Sequence, residues 1–236
     1  MKILGITLAR GGSKGIKNKN IISINKHPLI YYTIKEALKC QYLSDYIVST
    51  DSNKIREVSN NLGASTPFRR PKSLSTSKSS SVSALKHAVL FMEHKNKIKY
   101  DYIVELMCTN PLKNVDDINN VIKKIIKTKA DSVIAVHRLE DHHPARIKKI
   151  VNDKIVDFCV KEKPESRRQD LKPKAYIRSG SIYALKRDYL INKNRRYGSS
   201  NSRPYILPQS RAVNIDTLED LYLVKYLLNK KNEQKI

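Results

Sequence analysis

The 236-residue sequence has no tryptophan, only three cysteines, and no apolar stretch near the roughly 20 residues that a membrane span needs. Cys40, Cys108 and Cys159 are odd in number and lack metal-ligand spacing, so we expect unpaired thiols in a reducing compartment. The N-terminus also lacks the apolar region of a signal peptide. These absences favour a cytoplasmic protein without a membrane partner.

Acidic residues are also few, and 46 lysines and arginines against 22 aspartates and glutamates give a net charge of +24. One interpretation of this charge is nucleic-acid binding. However, nucleic-acid binders usually concentrate their charge or interleave it with aromatic residues, whereas here lysines run from Lys2 to Lys235 and the 13 tyrosines are dispersed. The sequence favours the other interpretation, a solvated basic surface that helps to gather small anionic substrates, and predicts no nucleic-acid partner.

The length of 236 residues suits one α/β domain with an insertion or two small domains. In the first 138 residues, short apolar runs alternate with segments of helical periodicity. Strands are predicted at "KILGITLA", "DYIVSTDS", "YDYIVEL" and "DSVIAV". Helices are predicted at "PLIYYTIKEALKC", at "NKIREVSNNLG" with Gly63 as its end, around Leu85, and after Asn114 as N-cap. This alternation predicts a mostly parallel sheet with helices on both faces.

The pattern changes near Leu139, where short β-like pieces, turn residues and charges replace the long helical stripes. Strand composition returns at "RSGSIYAL", and a strand end at "NID" is followed by a helix with Thr217 and Asp220 as a capping box. We therefore predict a catalytic core of residues 1–138 and 179–236 with an inserted arm of residues 139–178.

The stretch "LARGGSKGIKNKN", residues 8–20, places glycines and cations directly after the first predicted strand. It is not a Walker A loop, because Ile16 follows Gly15 where that motif requires lysine, and it lacks the G-x-G-x-x-G spacing of dinucleotide-binding loops. Backbone N–H groups in such a loop can hold phosphate oxygens, and nearby cations can neutralise them. These cations are Arg10, Lys14, Lys17 and Lys19. A solvated basic turn is the alternative on chemistry alone.

This stretch closely resembles the signature of the acylneuraminate cytidylyltransferases, also called CMP-sialic acid synthetases, with the legionaminic-type subgroup nearest. The resemblance continues in the family's order through "IVSTDS", "RRPKSLS", "CTNPLK", "HHP", "RQDL", "SGSIY" and "NIDTLEDL". It implies a Rossmann-like nucleotide-diphospho-sugar transferase fold with a small inserted dimerisation arm. It also implies transfer of CMP from CTP to the anomeric hydroxyl of a nonulosonic acid, with release of pyrophosphate. A nucleotidyltransferase for another acidic or amino sugar is the alternative.

The resemblance also assigns roles to individual residues. It implies catalytic roles for Arg10, Lys19 and Asp216. The implied nucleotide contacts are Leu8, Arg10, Gly12, Ser13, Lys19, Arg70 and Ser81. The implied sugar contacts are Asn20, Met107, Thr109, Arg146, Arg168, Ser179 and Tyr183, with Arg146 and Arg168 reaching into the partner's site in a homodimer. Asp216 and Asn214 would hold Mg²⁺ (or Mn²⁺), although Asp216 also fits a turn or helix-capping role.

Four departures from the family pattern fall at or near the site. Met107 stands where the family has glutamine, Asn214 replaces the first aspartate of a D-x-D metal motif, Ser77 replaces an aspartate, and Ser179 replaces an asparagine. The nucleotide-side residues are intact while the sugar side has changed. The resemblance therefore predicts the reaction class, and Met107 predicts a substrate that is less polar than N-acetylneuraminate at that position.

Overall fold

The computed structural model describes residues 1–13, 15–139 and 141–233. Within them, the strands are β1 (Ile3–Leu8), β2 (Ser23–Ile24), β3 (His27–Pro28), β4 (Asp45–Ser49), β5 (Tyr102–Leu106), β6 (Ser132–Arg138), β7 (Lys148–Val151), β8 (Lys154–Asp157), β9 (Tyr176–Lys186) and β10 (Ser202–Ile206). The helices are α1 (Leu29–Leu38), α2 (Asn53–Asn61), α3 (Ser81–Asn96), α4 (Val115–Thr128), α5 (Arg187–Lys193) and α6 (Leu218–Glu233). None of the helices in these ranges is long and apolar enough to cross a membrane.

A six-stranded sheet in the order β10-β6-β9-β5-β1-β4 forms the centre of the fold. Strands β4, β1 and β5 are parallel, as are β6 and β10, while β9 runs antiparallel between β5 and β6. The predicted α/β class with a mainly parallel sheet is confirmed. The direction of β9 follows from the insertion, because Arg138 at the end of β6 pairs with Tyr176 at the start of β9, so the chain returns to the sheet beside the point where it left.

Helices cover both faces of this sheet, as the alternating pattern predicts. On one face α4 packs Ile118, Val121 and Ile122 against the strands, and it begins at an Asn114–Asp117 capping box. On the other face α3 contributes Leu85 among its apolar residues. The two buried clusters leave the carboxyl ends of β1, β4 and β5 open to loops, which is where ligands bind in open α/β sheets.

Two elements of the C-terminal third differ from the prediction. The predicted strand end at "NID" is not a strand; Ile215 donates a backbone hydrogen bond to the Thr109 carbonyl at 2.9 Å, which attaches this segment to the loop after β5. Strand β10 was not predicted, because Pro204 interrupts the pattern, and the structure places it at the sheet edge where proline is tolerated. The predicted capping box is confirmed, since Asp220 Oδ2 accepts from the Thr217 amide at 2.9 Å and Thr217 Oγ1 from the Asp220 amide at 3.3 Å.

Between β6 and β9, the described residues of segment 139–178 carry a β7–β8 hairpin and short 3₁₀ turns. The hairpin turns at Asn152 and Asp153, both with positive φ, the backbone conformation that a two-residue I′ turn requires. Large apolar side chains point outward here, including Ile150 at 78% and Ile155 at 76% exposure. These two side chains are the most exposed large apolar residues that the structure describes.

Candidate active site

A cavity of about 350 Å³ opens at the carboxyl ends of β1, β4 and β5. Its walls come from the loop after β1, the serine-rich segment before α3, and the loop after β5. The structure brings together here most of the residues that the sequence singled out: Leu8, Arg10, Ser13, Lys19, Asn20, Arg70, Ser81, Met107 and Thr109. Residues far apart in the chain therefore form one cavity at the carboxyl ends of the strands, lined by polar and apolar side chains.

The loop after β1 is fixed by contacts with its neighbours. The Gly11 amide donates to Asp51 Oδ1 at 2.9 Å, and Asn20 Nδ2 donates to the Arg10 carbonyl at 2.9 Å. Gly15 is required by close approach, because a Cβ there would lie 2.9 Å from the Asp216 carbonyl oxygen. A Cβ on Gly12, by contrast, would meet nothing within 4 Å. Lys14 lies outside the described residues.

Three cations line the cavity: Arg10, Lys19 and Arg70. Arg70 is only 5% exposed; its Nη2 donates to the Ser49 carbonyl at 3.1 Å, and its Nε is enclosed without a hydrogen-bond partner. Burial, with the neighbouring Arg10 charge adding to it, lowers the pKa of Arg70 against the opposing effect of Asp51. Arg10 Nη1 donates to the Thr76 carbonyl at 2.8 Å. Buried positive charge of this kind favours an anionic ligand.

Lys19 connects this loop to the segment before α6. Its Nζ donates to the Ile215 carbonyl at 2.8 Å and to Asp216 Oδ1 at 2.9 Å. Lys19 is 15% and Asp216 74% exposed along the side chain. Because Thr217 and Asp220 form the helix cap, the Asp216 carboxylate is not a capping group and is free to contact Lys19.

Oxygen donors for a metal are sparse in this region. Among residues 1–13, 15–139 and 141–233, no group of three or more histidine, cysteine, aspartate or glutamate side chains could hold an ion. Asn214 packs its amide against Gly180, and its Oδ1 is enclosed without a hydrogen-bond partner. Asp216 and Asn214 each carry a side-chain oxygen, and a metal held by them would need further ligands from a bound phosphate or from water.

The remaining residues singled out by the sequence do not line the cavity. These are Gly12, Arg146, Arg168, Ser179, Tyr183, Asn214 and Asp216. Ser179 is buried and donates to the Ala135 carbonyl at 3.1 Å, and Tyr183 belongs to the core beneath the cavity. Arg146 and Arg168 lie on the arm, where Arg168 pairs with Asp141 at 2.8 Å.

Sequence reasoning missed two buried charges next to the cavity. Glu105 on β5 pairs with Arg196 Nη1 through Oε2 at 2.6 Å, and burial raises the pKa of Glu105 against the opposing effect of Arg196. Lys113 Nζ donates to Thr33 Oγ1 at 2.7 Å and to two carbonyls of the loop after β5, those of Met107 and Asn110. The sequence contains one signal for Glu105, because a charged residue is unusual within the apolar run "YIVEL".

Burial lowers the pKa of Lys113 to about 7, although the neighbouring Cys108, Asp117 and Glu36 act in the opposite direction. The three acceptors around Nζ fit an ammonium group. A neutral amine fits as well, since the Thr33 hydroxyl can then donate to nitrogen. In both states Lys113 ties together the two ends of the loop that carries Met107, Cys108 and Thr109 into the cavity.

Comparisons with known proteins agree with this geometry. The sequence profile of the Cytidylyltransferase family matches residues 4–232. The chain is 33% identical to the pseudaminic acid cytidylyltransferase of Campylobacter jejuni over 99% of both chains. It is 31% identical to the CMP-N,N'-diacetyllegionaminic acid synthase of the same species, over 98% of this chain and 97% of that protein. Among solved structures, a CMP:2-keto-3-deoxy-manno-octonic acid synthetase complexed with CTP shares the fold, with a TM-score of 0.69 at 18% identity and coverage of 98% and 100%.

Proposed function

Because this chain belongs to the cytidylyltransferase family, we propose that it transfers CMP from CTP to the anomeric hydroxyl of a nonulosonic acid. The hydroxyl oxygen attacks the α-phosphorus of CTP and loses its proton, and the bond from that phosphorus to the β-phosphate oxygen breaks, releasing pyrophosphate. The observation that carries the proposal is the cavity at the strand ends, with Arg10, Lys19 and Arg70 around it.

The charges of the site suit this reaction. CTP brings about four negative charges and the sugar a carboxylate, so the attack requires cations that offset the repulsion. Arg10 and Lys19 act on the triphosphate and on the leaving pyrophosphate, and the loop of Gly12 and Ser13 holds phosphate oxygens. On the nucleotide side, Leu8, Arg70 and Ser81 bind the nucleoside.

Asp216 and Asn214 are the residues that would hold Mg²⁺ (or Mn²⁺). Both offer oxygen, the donor that these hard cations prefer, and the enclosed, unpartnered Oδ1 of Asn214 supports the assignment. The ion supplies charge neutralisation to the phosphates when it is bound. Since Asp216 also contacts Lys19 at 2.9 Å, that contact keeps the lysine oriented toward the same phosphates.

The sugar lies on the side of the cavity formed by Asn20, Met107 and Thr109, with Ser179 and Tyr183 supporting it from β9. The arm completes the site in a homodimer, in which Arg146 and Arg168 of one subunit meet the sugar carboxylate or a phosphate in the other. Support for this assembly comes from the exposed Ile150 and Ile155 on the hairpin, since large exposed apolar surfaces mark interaction sites. The free thiols of the chain suit a cytoplasmic protein.

The test is pyrophosphate release from CTP with a panel of sialic, legionaminic and pseudaminic acids. Release should require CTP, divalent metal and a nonulosonic acid together. Absence of release across the panel, with no binding of CTP, would contradict the proposal. A second panel of nucleoside triphosphates and sugar phosphates separates it from a nucleotidyltransferase for another acidic or amino sugar.

A further inference from the structure

Glu105 places a carboxylate at the cavity, and the proposed reaction gives it no role. Its side chain is 2% exposed, and it lines the cavity together with Met107, two positions further along the chain. A carboxylate at this depth loses its hydration and must be hydrogen-bonded or paired to keep its charge. Arg196 provides one such partner, with Nη1 donating to Oε2 at 2.6 Å.

The other carboxylate oxygen, Oε1, is left for a ligand. No side chain or backbone group in the described part of the chain donates to it. It is also not one of the enclosed polar atoms that lack a partner. Glu105 Oε1 is therefore neither hydrogen-bonded nor enclosed. Because Glu105 lines the cavity, a ligand in the cavity can reach this oxygen. An ionised carboxylate accepts hydrogen bonds at both oxygens, so Oε1 has an unused capacity there.

The surroundings of Arg196 hold the pair in this orientation. The Arg196 guanidinium lies 4.7 Å from the centre of the Tyr183 ring, and Tyr183 is the β9 residue directly opposite Glu105. The ring of Tyr197 lies 6.1 Å from that of Tyr183, and the guanidinium of Arg178 stacks 4.5 Å from the Tyr197 ring. Because Arg196 is stacked in this way, it remains at Oε2 and leaves Oε1 to the cavity.

We propose that Glu105 determines substrate specificity by accepting, at Oε1, a hydrogen bond from an N–H group of a bound substrate. This inference rests on the proposed function. Phosphate is excluded at this point, because a carboxylate repels it and the cations proposed to bind phosphate, Arg10 and Lys19, come from the loop after β1. Two substrate groups carry a suitable N–H, the 4-amino group of cytosine and an acylamino group on the sugar.

The test uses the isosteric variant Glu105→Gln. Arg196 requires an acceptor, so it takes the amide oxygen, and the amide NH₂ then faces the ligand in place of Oε1. The matched control is Glu93→Gln, because Glu93 also pairs with an arginine, Arg187, at 2.8 Å, but does not line the cavity. Calorimetry gives the Kd of CTP and of UTP, which carries a carbonyl oxygen in place of the amino group. Steady-state rates give kcat/KM for a nonulosonic acid with an acylamino group and for its analogue with hydrogen at that carbon.

The expected result is a selective loss of about 10- to 100-fold, the value of one hydrogen bond to a charged group. If the donor is cytosine, Glu105→Gln weakens CTP and strengthens UTP, while the two sugars change equally. If the donor is the sugar, it lowers kcat/KM for the acylamino sugar and spares the deoxy analogue, while CTP binding stays constant. Glu93→Gln changes neither preference. Glu105→Asp keeps the charge but moves the carboxylate away from the ligand, so it should give the same selective loss. This variant replaces Glu105→Gln in the test if the glutamine variant is unstable.

An unchanged preference for both pairs of ligands in the Glu105 variants, with wild-type protein active, overturns this inference and leaves the proposed function intact. A uniform loss that matches Glu93→Gln also overturns it, because it shows a purely structural ion pair. Wild-type protein that binds no CTP and turns over no sugar overturns both.

Discussion

The cations around the cavity and those on the arm are held in different ways. On the arm several of them pair with acidic side chains: Lys148 contacts Asp157 at 2.5 Å and Glu162 at 2.8 Å, and Arg168 contacts Asp141 at 2.8 Å. At the cavity, Arg10 and Arg70 instead donate to backbone carbonyls, which carry only partial charge. The positive charge of Arg10 and Arg70 is therefore available to an anion, whereas Lys19 pairs with Asp216 at 2.9 Å and part of the charge on the arm is neutralised within the chain.

Apolar side chains show the opposite arrangement. Around the sheet most of them are enclosed in clusters, whereas on the hairpin Ile150 and Ile155 are more than three-quarters exposed. A short hairpin cannot enclose both of its faces by itself. The comparison indicates that the core encloses its own apolar residues, whereas the hairpin leaves an apolar surface open to solvent.

The largest expected effect comes from removing a cavity cation. We expect Lys19→Ala and Arg10→Ala each to lower kcat/KM by about 10²- to 10³-fold, because both charges act where negative charge grows in the transition state. Arg167→Ala is the matched control on the arm, since Arg167 pairs with Asp170 at 2.7 Å and has no role in the proposed site. Initial rates of pyrophosphate release measure the effect. Near-normal rates in both cavity variants would refute the assignment of this loop.

The second prediction concerns the arm. Ile150→Glu combined with Ile155→Glu places two charges on its apolar surface and should convert a homodimer into monomers, which light scattering at micromolar concentration detects. Because Arg146 and Arg168 would then be lost from the partner's site, turnover should fall by about 10-fold or more, the effect of losing one charged contact. CTP binding should change little, since the nucleotide cations come from the core. Wild-type protein that is monomeric would contradict this prediction.

Sequence reasoning located the cavity residues of the loop after β1 better than the buried charges beside them. Arg10, Ser13 and Lys19 lie in one short loop directly after a strand, so a local pattern reveals them. Glu105 and Arg196 are 91 positions apart and meet only because β9 enters the sheet antiparallel beside β5. Lys113 was missed for the same reason, because no local sequence pattern shows that three acceptors enclose its Nζ.

The third prediction uses the pKa of Lys113, which burial lowers to about 7 from an ordinary value of 10.5. Between these two values the unfolded chain binds a proton that the folded chain does not, so this residue makes the free energy of unfolding rise with pH. Relative to Lys113→Met, the free energy of unfolding of the wild type should rise by at most about 1.4 kcal/mol per pH unit. This difference in slope disappears below pH 7, where Lys113 is protonated in both the folded and the unfolded chain. Urea unfolding of both proteins at pH 6, 7.5 and 8.5 measures it. Parallel curves would contradict the lowered pKa.

The smallest expected effect concerns the sugar side of the cavity, where Met107 replaces the family glutamine. Its backbone is fixed on both sides, with the amide donating to the Ser181 carbonyl at 3.0 Å and the carbonyl accepting from Lys113 Nζ at 2.7 Å. Met107→Gln therefore changes the side chain without moving the loop. N-acetylneuraminate should be a poor substrate of the wild type, because a polar group beside the thioether lacks a partner, at a cost of about 1 kcal/mol or more. The glutamine variant should raise its kcat/KM about 5-fold while lowering that of deoxy or differently acylated sugars. If the wild type turns over N-acetylneuraminate faster than every such sugar, Met107 does not select the substrate.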